Sequence, residues 1–157
     1  MRIPAIFTAL LCALALSSCG GGGGAPAPGP PSGTAASMFT QLNALRTANG
    51  AAALSNNAQL AALAQTQANL NAASHTNSAV DGSGQTIKQR LEAGGLNVID
   101  WIVPLALGND AEAVDRWTNT PVERSLLYQQ GYTDMGVGMA MDGTRQRWVV
   151  IMVQLGP

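Results

Sequence analysis

One histidine and a few carboxylates are the side chains in this sequence that could carry out chemistry. His75 is the only histidine among the 157 residues, and an imidazole can transfer a proton near neutral pH or bind a metal ion. Glu123 could form an acid–base pair with it, as a hydrolase of peptides or envelope polymers would require. Ser74 adjoins His75, but neighbouring helix residues do not face each other, so their adjacency does not indicate a catalytic pair. The sequence contains no nucleophile-elbow motif and no metalloprotease histidine pair.

A metal site is the second chemistry that these residues raise. Zinc takes three or four ligands that converge in a nearly tetrahedral arrangement, and one imidazole is poor support for such a site. A residual site would have to combine His75 and Glu123 with Asp100 or Asp81, and water would complete the shell. Nothing in the spacing requires this, so we expect no cofactor and keep a divalent metal such as zinc as the weaker alternative.

Glu123 also has a structural explanation. The segment Thr120-Pro121-Val122-Glu123 places a hydroxyl residue at a helix N-cap, proline in the first turn and glutamate at the third position, which is the capping-box pattern. In that pattern the carboxylate accepts the Thr120 backbone N–H and interacts favourably with the helix dipole. The sequence favours this explanation over a catalytic role.

The three tryptophans could form a surface for a glycan or a lipid, or they could fill the core. Trp117 and Trp148 lie in regular apolar patterns, so we expect both in the core. Trp101 lies in an irregular segment, and we expect it at the surface. Four methionines are expected to pack on sheet faces instead of binding a metal: Met135, Met139, Met141 and Met152.

The N-terminus resembles a lipoprotein signal. Arg2 precedes an apolar run that closes on Leu16-Ser17-Ser18-Cys19, the order of a secretory signal with a lipobox. The run is shorter than the roughly 20 residues of a membrane-spanning helix, so we expect residues 1–18 to be cleaved and Cys19 to be lipidated. Gly20 replaces the aspartate that is associated with inner-membrane retention. The resemblance therefore implies an exported cell-envelope lipoprotein, in the outer membrane if the organism has one.

A tether and one domain are expected after the signal. Residues 19–35 are the lipidated cysteine and a Gly/Pro-rich stretch that buries nothing, and residues 36–157 are long enough to form one core. Cys12 would be lost with the signal peptide, so no disulfide could form within the mature chain. The domain must therefore depend on its own core.

The charge balance excludes one class of partner. The chain has nine acidic and eight basic residues, of which Arg2 lies in the signal peptide, so the mature chain would carry a formal charge of −2. The basic residues do not cluster, so the electrostatic pattern of a nucleic-acid-binding protein is missing. The remaining partners to consider are the membrane, through Cys19, and an envelope glycan, lipid or protein.

Helical periodicity predicts five helices, which precede the C-terminal hairpin in the chain and pack against the sheet. Residues 97–107 predict an irregular or edge strand because Pro104 interrupts them, and residues 135–141 and 147–155 predict a hairpin. The run 148–153 is apolar at both its even and its odd positions, so the strand should be covered on both faces. These elements predict an α+β fold, a three-layer α-β-α sandwich with a small, mostly antiparallel central sheet. The predicted N-caps of the second to fifth helices are Ser55 or Asn56, Ser83, Asp110 and Thr120.

The order of landmarks resembles the CAP superfamily, also called the SCP or PR-1-like (cysteine-rich secretory protein) family, in its compact bacterial form. The resemblance covers nearly the whole domain, from about residue 36 to residue 156. Its motifs are Leu42-Asn43-Ala44-Leu45-Arg46 with Gly50, Leu60 with Ala64, Ser74-His75, Ala106-Leu107-Gly108, Trp117 with Thr120-Pro121, Arg124 with Leu126-Leu127, and Met135-Gly136-Val137-Gly138.

The resemblance implies a central cleft, in which many members bring two histidines and one or two glutamates together and can hold a divalent metal. On this basis His75 occupies the position of the first cleft histidine. Val103 takes the place of a carboxylate usually supplied by a Glu-Asn-Ile segment, and Glu123 takes the place of the second histidine. Two of the expected groups have therefore changed type, in a ligand cleft that His75, Val103 and Glu123 would line.

The sequence thus favours a membrane-tethered, extracytoplasmic SCP-domain protein that acts as a non-catalytic binding or interaction module with a degenerate cleft. The competing hypothesis is a hydrolase that uses a His75/Glu123 pair, with or without a metal. A third hypothesis is a spacer or adhesin whose cleft binds nothing, which predicts a filled cleft and a His75 side chain that is packed or points into solvent.

Overall fold

The computed structural model describes residues 33–157. The predicted signal peptide, Cys19 and most of the predicted tether lie outside these residues. No helix within the described part is long and apolar enough to cross a membrane. In chain order the elements are α1 (Ala35–Ala48), β1 (Ser55–Asn56), α2 (Ala58–Ser74), α3 (Ile87–Ala93), β2 (Val98–Ile102), β3 (Leu105–Leu107), α4 (Asp110–Asn119), α5 (Pro121–Leu127), β4 (Asp134–Asp142) and β5 (Arg145–Leu155).

Strand β5 lies at the centre of the sheet. The hydrogen-bonded order is β1-β4-β5-β2, and β3 also pairs with β5. Strands β2, β3 and β4 are antiparallel to β5, whereas the short β1 is parallel to β4. The predicted hairpin and the mostly antiparallel sheet are therefore confirmed. The predicted interruption of the strand at 97–107 is also confirmed, because Val103 and Pro104 separate β2 from β3.

Alternate side chains of β5 enter two separate cores. Trp148, Val150 and Met152 pack in a cluster with α1, α4 and α5, while the residues between them pack with α2 and α3. Every residue from 148 to 153 is 0% exposed. Because successive strand residues point to opposite faces, an apolar run of this kind requires a helical layer on each side. The predicted three-layer α-β-α sandwich is confirmed.

Helix α2 begins later than the sequence predicts. Its N-cap is Asn57, whose side-chain oxygen accepts the N–H groups of Gln59 at 3.0 Å and Leu60 at 3.3 Å. The predicted caps, Ser55 and Asn56, instead form β1 and pair with β4. Pairing with the sheet therefore holds these two residues in an extended conformation.

The N-caps of α3 and α4 also differ from the prediction. Thr86 caps α3 in a capping box with Gln89, while Ser83 donates its N–H and its hydroxyl to Asp81 in the preceding turn. Asn109 caps α4, so Asp110 is the first helical residue and not the cap. Several polar residues precede each helix, and any of them can cap. The path of the entering chain decides which one does.

The three tryptophans have the exposure that the sequence predicts, whereas one methionine does not. Trp117 and Trp148 are 1% and 0% exposed, and Trp101 is 40% exposed. Met141 is 46% exposed, so the prediction that it packs on a sheet face is wrong. Met141 lies beside the β4–β5 turn.

Two glycines allow α2 to lie directly against β4. A Cβ atom on Gly136 would come within 2.2 Å of the Leu60 carbonyl carbon, and one on Gly138 would come within 2.2 Å of the Ala64 carbonyl carbon. No side chain fits at such distances. The register of α2 on the sheet therefore depends on these two positions.

Substitution of Gly138 by alanine should destabilise the fold. The added methyl group would have to push α2 away from β4, and overpacking of this kind costs roughly 1–3 kcal/mol. Urea unfolding of Gly138→Ala would measure the loss. Gly82→Ala is the matched control because no heavy atom lies within 4 Å of the place that a Cβ atom would take there, and equal stability of the two variants would contradict the close approach.

Candidate functional site

A cleft of about 600 Å³ lies between the β2–β3 segment and helices α4 and α5. Its volume is typical of small-molecule sites, which span roughly 300–1,000 Å³. The loop after α2 contributes Asn77 to the wall, and Trp101 lies at the end of β2. Most of the remaining wall is apolar, and it includes Ile102, Val103, Pro104, Leu105 and Leu126.

Glu123 enters this cleft from the first turn of α5, where it pairs with Arg116 of α4. The Nε and Nη2 atoms of Arg116 both donate to Glu123 Oε1 at 3.3 Å, and Glu123 Oε2 is buried without a hydrogen-bond partner among the described residues. The predicted capping box is wrong. The Thr120 side chain makes no capping bond, and the Thr120 N–H donates to the carbonyl oxygen of Arg116 at 3.0 Å.

The break between α4 and α5 explains this pairing. Thr120 is both the C-cap of α4 and the N-cap of α5, in an extended conformation. Pro121 has no N–H and cannot continue the hydrogen-bonding pattern of α4. The change of direction at this junction places the last turn of α4 beside the first turn of α5, so the exposed Arg116 side chain reaches Glu123.

Val103 lies in the cleft wall beside Pro104. The segment is fixed to the sheet because the Val150 N–H donates to the Pro104 carbonyl oxygen at 3.0 Å. Val103 also packs against the core beneath α2 and α3. An apolar side chain at this position offers no ligand to a metal, and it leaves Glu123 as the carboxylate of the cleft wall.

His75 lies outside this wall. It ends α2 in the left-handed conformation, with φ of 54°, and its Nδ1 atom is 2.6 Å from Asp142 Oδ1 at the end of β4. The side chain is 77% exposed and lines a second depression, of about 460 Å³, beside the β4–β5 turn. No hydrogen bond joins His75 to Glu123, so the structure does not form the acid–base pair that the competing hydrolase hypothesis requires.

A chain of polar contacts leads from His75 back to the cleft. Asp142 Oδ2 accepts from Nε and Nη2 of the largely buried Arg147 at 2.9 and 2.6 Å, and Arg147 Nη1 donates to Asn77 at 3.0 Å. The bonds from Arg147, and next the contact with His75, lower the pKa of the Asp142 carboxyl below its ordinary value. Asp142 therefore holds the imidazole on the outer surface while Arg147 positions Asn77.

The residues considered as metal ligands lie in separate places. Asp100 accepts from the Gln129 amide at 3.0 Å, and Asp81 accepts the backbone N–H of Ser83 at 2.9 Å. Within residues 33–157, no group of three or more histidine, cysteine, aspartate or glutamate side chains is close enough to hold a metal ion. The combination of His75 and Glu123 with either aspartate is therefore not formed.

Arg46 of the first motif has a structural role. It is 0% exposed, and it donates to the carbonyl oxygens of Ala52 at 3.0 Å and Gln129 at 3.2 Å. Burial lowers its pKa, and burial also raises the pKa of the neighbouring Tyr132 to about 12. Arg46 therefore ties α1 to the chain that follows α5, which supports one side of the cleft.

Three polar residues near the site are not singled out by sequence reasoning: Asn77, Arg116 and Asp142. A signal exists for Arg116, because an arginine before a helix break and a glutamate after it can pair across the break. No local signal exists for Asp142, since aspartate is typical of hairpin turns. Asn77 has no local signal either, and its position in the cleft wall and its contact with Arg147 identify it.

Loss of the Asp142 carboxylate should lower stability in a pH-dependent way. A carboxyl whose pKa is lowered by folding stabilises the fold above its unfolded pKa of about 3.9, and this contribution is lost as the pH falls through the folded value. Asp142→Asn should therefore melt below the wild type at pH 7, and the difference should shrink below about pH 4. Thermal melts across this range would measure it. Asp115→Asn, on the exposed face of α4, is the control, and an unchanged melting temperature for Asp142→Asn at pH 7 would contradict the assignment.

Solved structures with the same fold come from several bacteria. An extracellular protein with an SCP domain from Bacillus anthracis is 19% identical with a TM-score of 0.65, and the match covers 74% of this chain and 39% of that one. An outer surface protein of Borrelia burgdorferi is 18% identical with a TM-score of 0.69, covering 76% and 90%. A cysteine-rich secretory protein from Staphylococcus aureus is 19% identical with a TM-score of 0.61, covering 76% and 38%. This chain therefore spans well under half of the first and third proteins.

Sequence comparison identifies the family. No curated protein matches the chain significantly, whereas the profile of the cysteine-rich secretory protein family, CAP, matches residues 39–154. The match covers most of the chain and both helical layers of the sandwich. Both cysteines of the sequence, Cys12 and Cys19, precede the matched segment. By this match and by its fold, the chain belongs to the CAP family.

Proposed function

We propose that this chain is a membrane-tethered, extracytoplasmic binding module whose cleft holds a ligand without cleaving it. The observation that carries the proposal is the makeup of the cleft wall. Its carboxylate, Glu123, is bonded to Arg116, and its other polar residue is Asn77. The wall has the apolar surface and the few polar groups that small-molecule sites combine.

The same wall argues against hydrolysis. Hydrolysis through a covalent intermediate needs a nucleophilic side chain next to a general base, and a third group must orient that base. The described residues that line the cleft include no serine, threonine, cysteine or histidine. His75 has an orienting carboxylate in Asp142, but the hydroxyl of the adjacent Ser74 donates to the Leu70 carbonyl oxygen at 2.7 Å. The hydrolase therefore remains the weaker proposal.

Export and anchoring are supported by the N-terminal pattern and by the similar structures. The lipobox at Leu16-Ser17-Ser18-Cys19 is the basis for lipidation, and two of the similar proteins are described as an extracellular protein and an outer surface protein. The described chain enters the domain at Gly33, whose carbonyl oxygen accepts from the buried Gln146 amide at 2.8 Å. We propose that the tether joins the domain at this fixed point.

The tether predicts a lipid on one cysteine. Radiolabelled palmitate should be incorporated into the full chain expressed in a bacterial host, and the protein should sediment with membranes. Cys19→Ala should abolish the label, because Cys19 is the only acceptor proposed. Cys12→Ala, in the apolar run, should leave the label unchanged. Labelling that survives in Cys19→Ala would disprove lipidation at this residue.

The binding module predicts no metal site shared by His75 and Glu123. The two side chains lie in different depressions, so one ion cannot bind both. The test is a calorimetric titration of zinc into the fragment 33–157, which contains both cores. We expect either no stoichiometric binding, or binding that at least one of the variants His75→Ala and Glu123→Ala retains. Binding that is lost in both variants would instead place metal-dependent chemistry first.

A further inference from the structure

From the polar groups and the charge of the cleft, we infer that its ligand is a neutral saccharide stacked on Trp101 and hydrogen-bonded by Asn77, Arg116 and Glu123. This inference rests on the proposed binding function of the cleft and names the ligand class. Four different parts of the fold supply these side chains: strand β2, the loop after α2, helix α4 and helix α5.

The charge of the cleft selects against ions. Arg116 and Glu123 are the charged residues of its described wall, and their salt bridge leaves the wall without net charge. An anionic ligand would be attracted by Arg116 and repelled by Glu123, and the reverse holds for a cation. A neutral ligand with several hydroxyl or amide groups can use the donors of one residue and the acceptors of the other.

The polar groups of the wall retain unused hydrogen-bonding capacity. Glu123 Oε2 has no partner within residues 33–157. Arg116 uses Nε and Nη2, and Asn77 accepts from Arg147 through Oδ1, so Arg116 Nη1 and the Asn77 amide nitrogen have no acceptor in this part of the chain. The two bonds from Arg116 are 3.3 Å long, near the weak limit for N–H···O bonds, so the Glu123 carboxylate can turn towards a ligand. One acceptor and two donors are thus available to hydroxyl groups.

Trp101 offers the flat apolar surface that the C–H face of a sugar ring covers. Its backbone is held in β2 opposite Val153, and Lys88 Nζ lies 5.6 Å from the ring centroid. Lys88 does not line the cleft, so this cation restrains the indole without filling the site. A large side chain that is already held in place loses little entropy on binding.

A lipid chain fits these observations less well. It would cover the apolar wall at Val103 and Leu126, but it would also cover Glu123, Arg116 and Asn77 without offering them hydrogen bonds. Polar groups buried without partners destabilise a complex. A lipid or other apolar ligand is therefore an alternative outcome of the test.

The test uses the full chain reconstituted in phosphatidylcholine vesicles, with tri-N-acetylchitotriose as the neutral saccharide probe. Of the three tryptophans of the chain, Trp117 and Trp148 are buried and Trp101 lines the cleft, so the difference in emission change between the wild type and Trp101→Phe reports on Trp101. We expect a saturable change in emission, and Trp101→Phe should abolish it. Glu123→Ala and Arg116→Ala should each weaken binding about tenfold, the usual effect of losing a charged hydrogen bond.

Ile99→Ala is the matched control, because Ile99 lies on the same strand, is 56% exposed and does not line the cleft. Its affinity should equal that of the wild type. If both Glu123→Ala and Arg116→Ala bind the saccharide as well as the wild type does, the inference is overturned, because the saccharide would then stack on Trp101 without hydrogen bonds to these two residues.

A second probe, 1-hexanol, separates this inference from the proposed function. If hexanol changes the Trp101 emission and the saccharide does not, the cleft is an apolar binding site and the saccharide inference fails alone. If neither probe changes the emission, the inference and the proposed binding function of the cleft fail together.

Discussion

The burial of β5 on both faces is the constraint on which the rest of the structure depends. Residues 148–153 are fully buried, so helices must cover the sheet on two sides. The same edge of β5 pairs with β2 along one part and with β3 along another. The chain between them, Val103 and Pro104, stays along this edge, where the Val150 N–H donates to the Pro104 carbonyl oxygen at 3.0 Å, but it does not form a strand. The apolar wall of the cleft is this segment, so the cleft is an extension of the core packing.

The second constraint is the contact between α2 and β4. Gly136 lies under Leu60 and Gly138 under Ala64, so two strand residues match four helix residues. Two residues of strand span about 6.6 Å and four residues of helix span about 6.0 Å, so the two elements stay in step. Followed further in the same direction, α2 ends at His75 and β4 ends at Asp142. Continued at this ratio, Asp142 falls opposite Ala72 in the last turn of α2, three residues before His75. The glycine register therefore brings the ends of the two elements together, and the left-handed cap at His75 completes the contact.

The sequence predicts those features that depend on periodicity and burial. The two-sided burial of β5 and the placement of Trp117 follow from apolar spacing. The break follows from Pro104, and the exposure of Trp101 follows from the irregular segment in which it lies. The helix caps are predicted less well. Ser83 and Thr86 are chemically equivalent candidates for the N-cap of α3, and only the turn at Asp81 decides between them. Partner choice is the least predictable. The partner of Glu123 is decided by the angle between two helices, which local sequence does not contain.

The outward position of His75 depends on two opposing contributions, the backbone strain of its left-handed conformation and the contact of its side chain with Asp142. A non-glycine residue in the left-handed region is disfavoured by roughly 1–2 kcal/mol, and His75 has φ of 54°. The bond to Asp142, at 2.6 Å, and the cap bond from the His75 N–H to the Ala72 carbonyl oxygen, at 3.4 Å, oppose that cost. Asp142 is the acceptor that the described structure gives this imidazole, and the two bonds from Arg147 to the other carboxylate oxygen, at 2.9 and 2.6 Å, hold that acceptor in place.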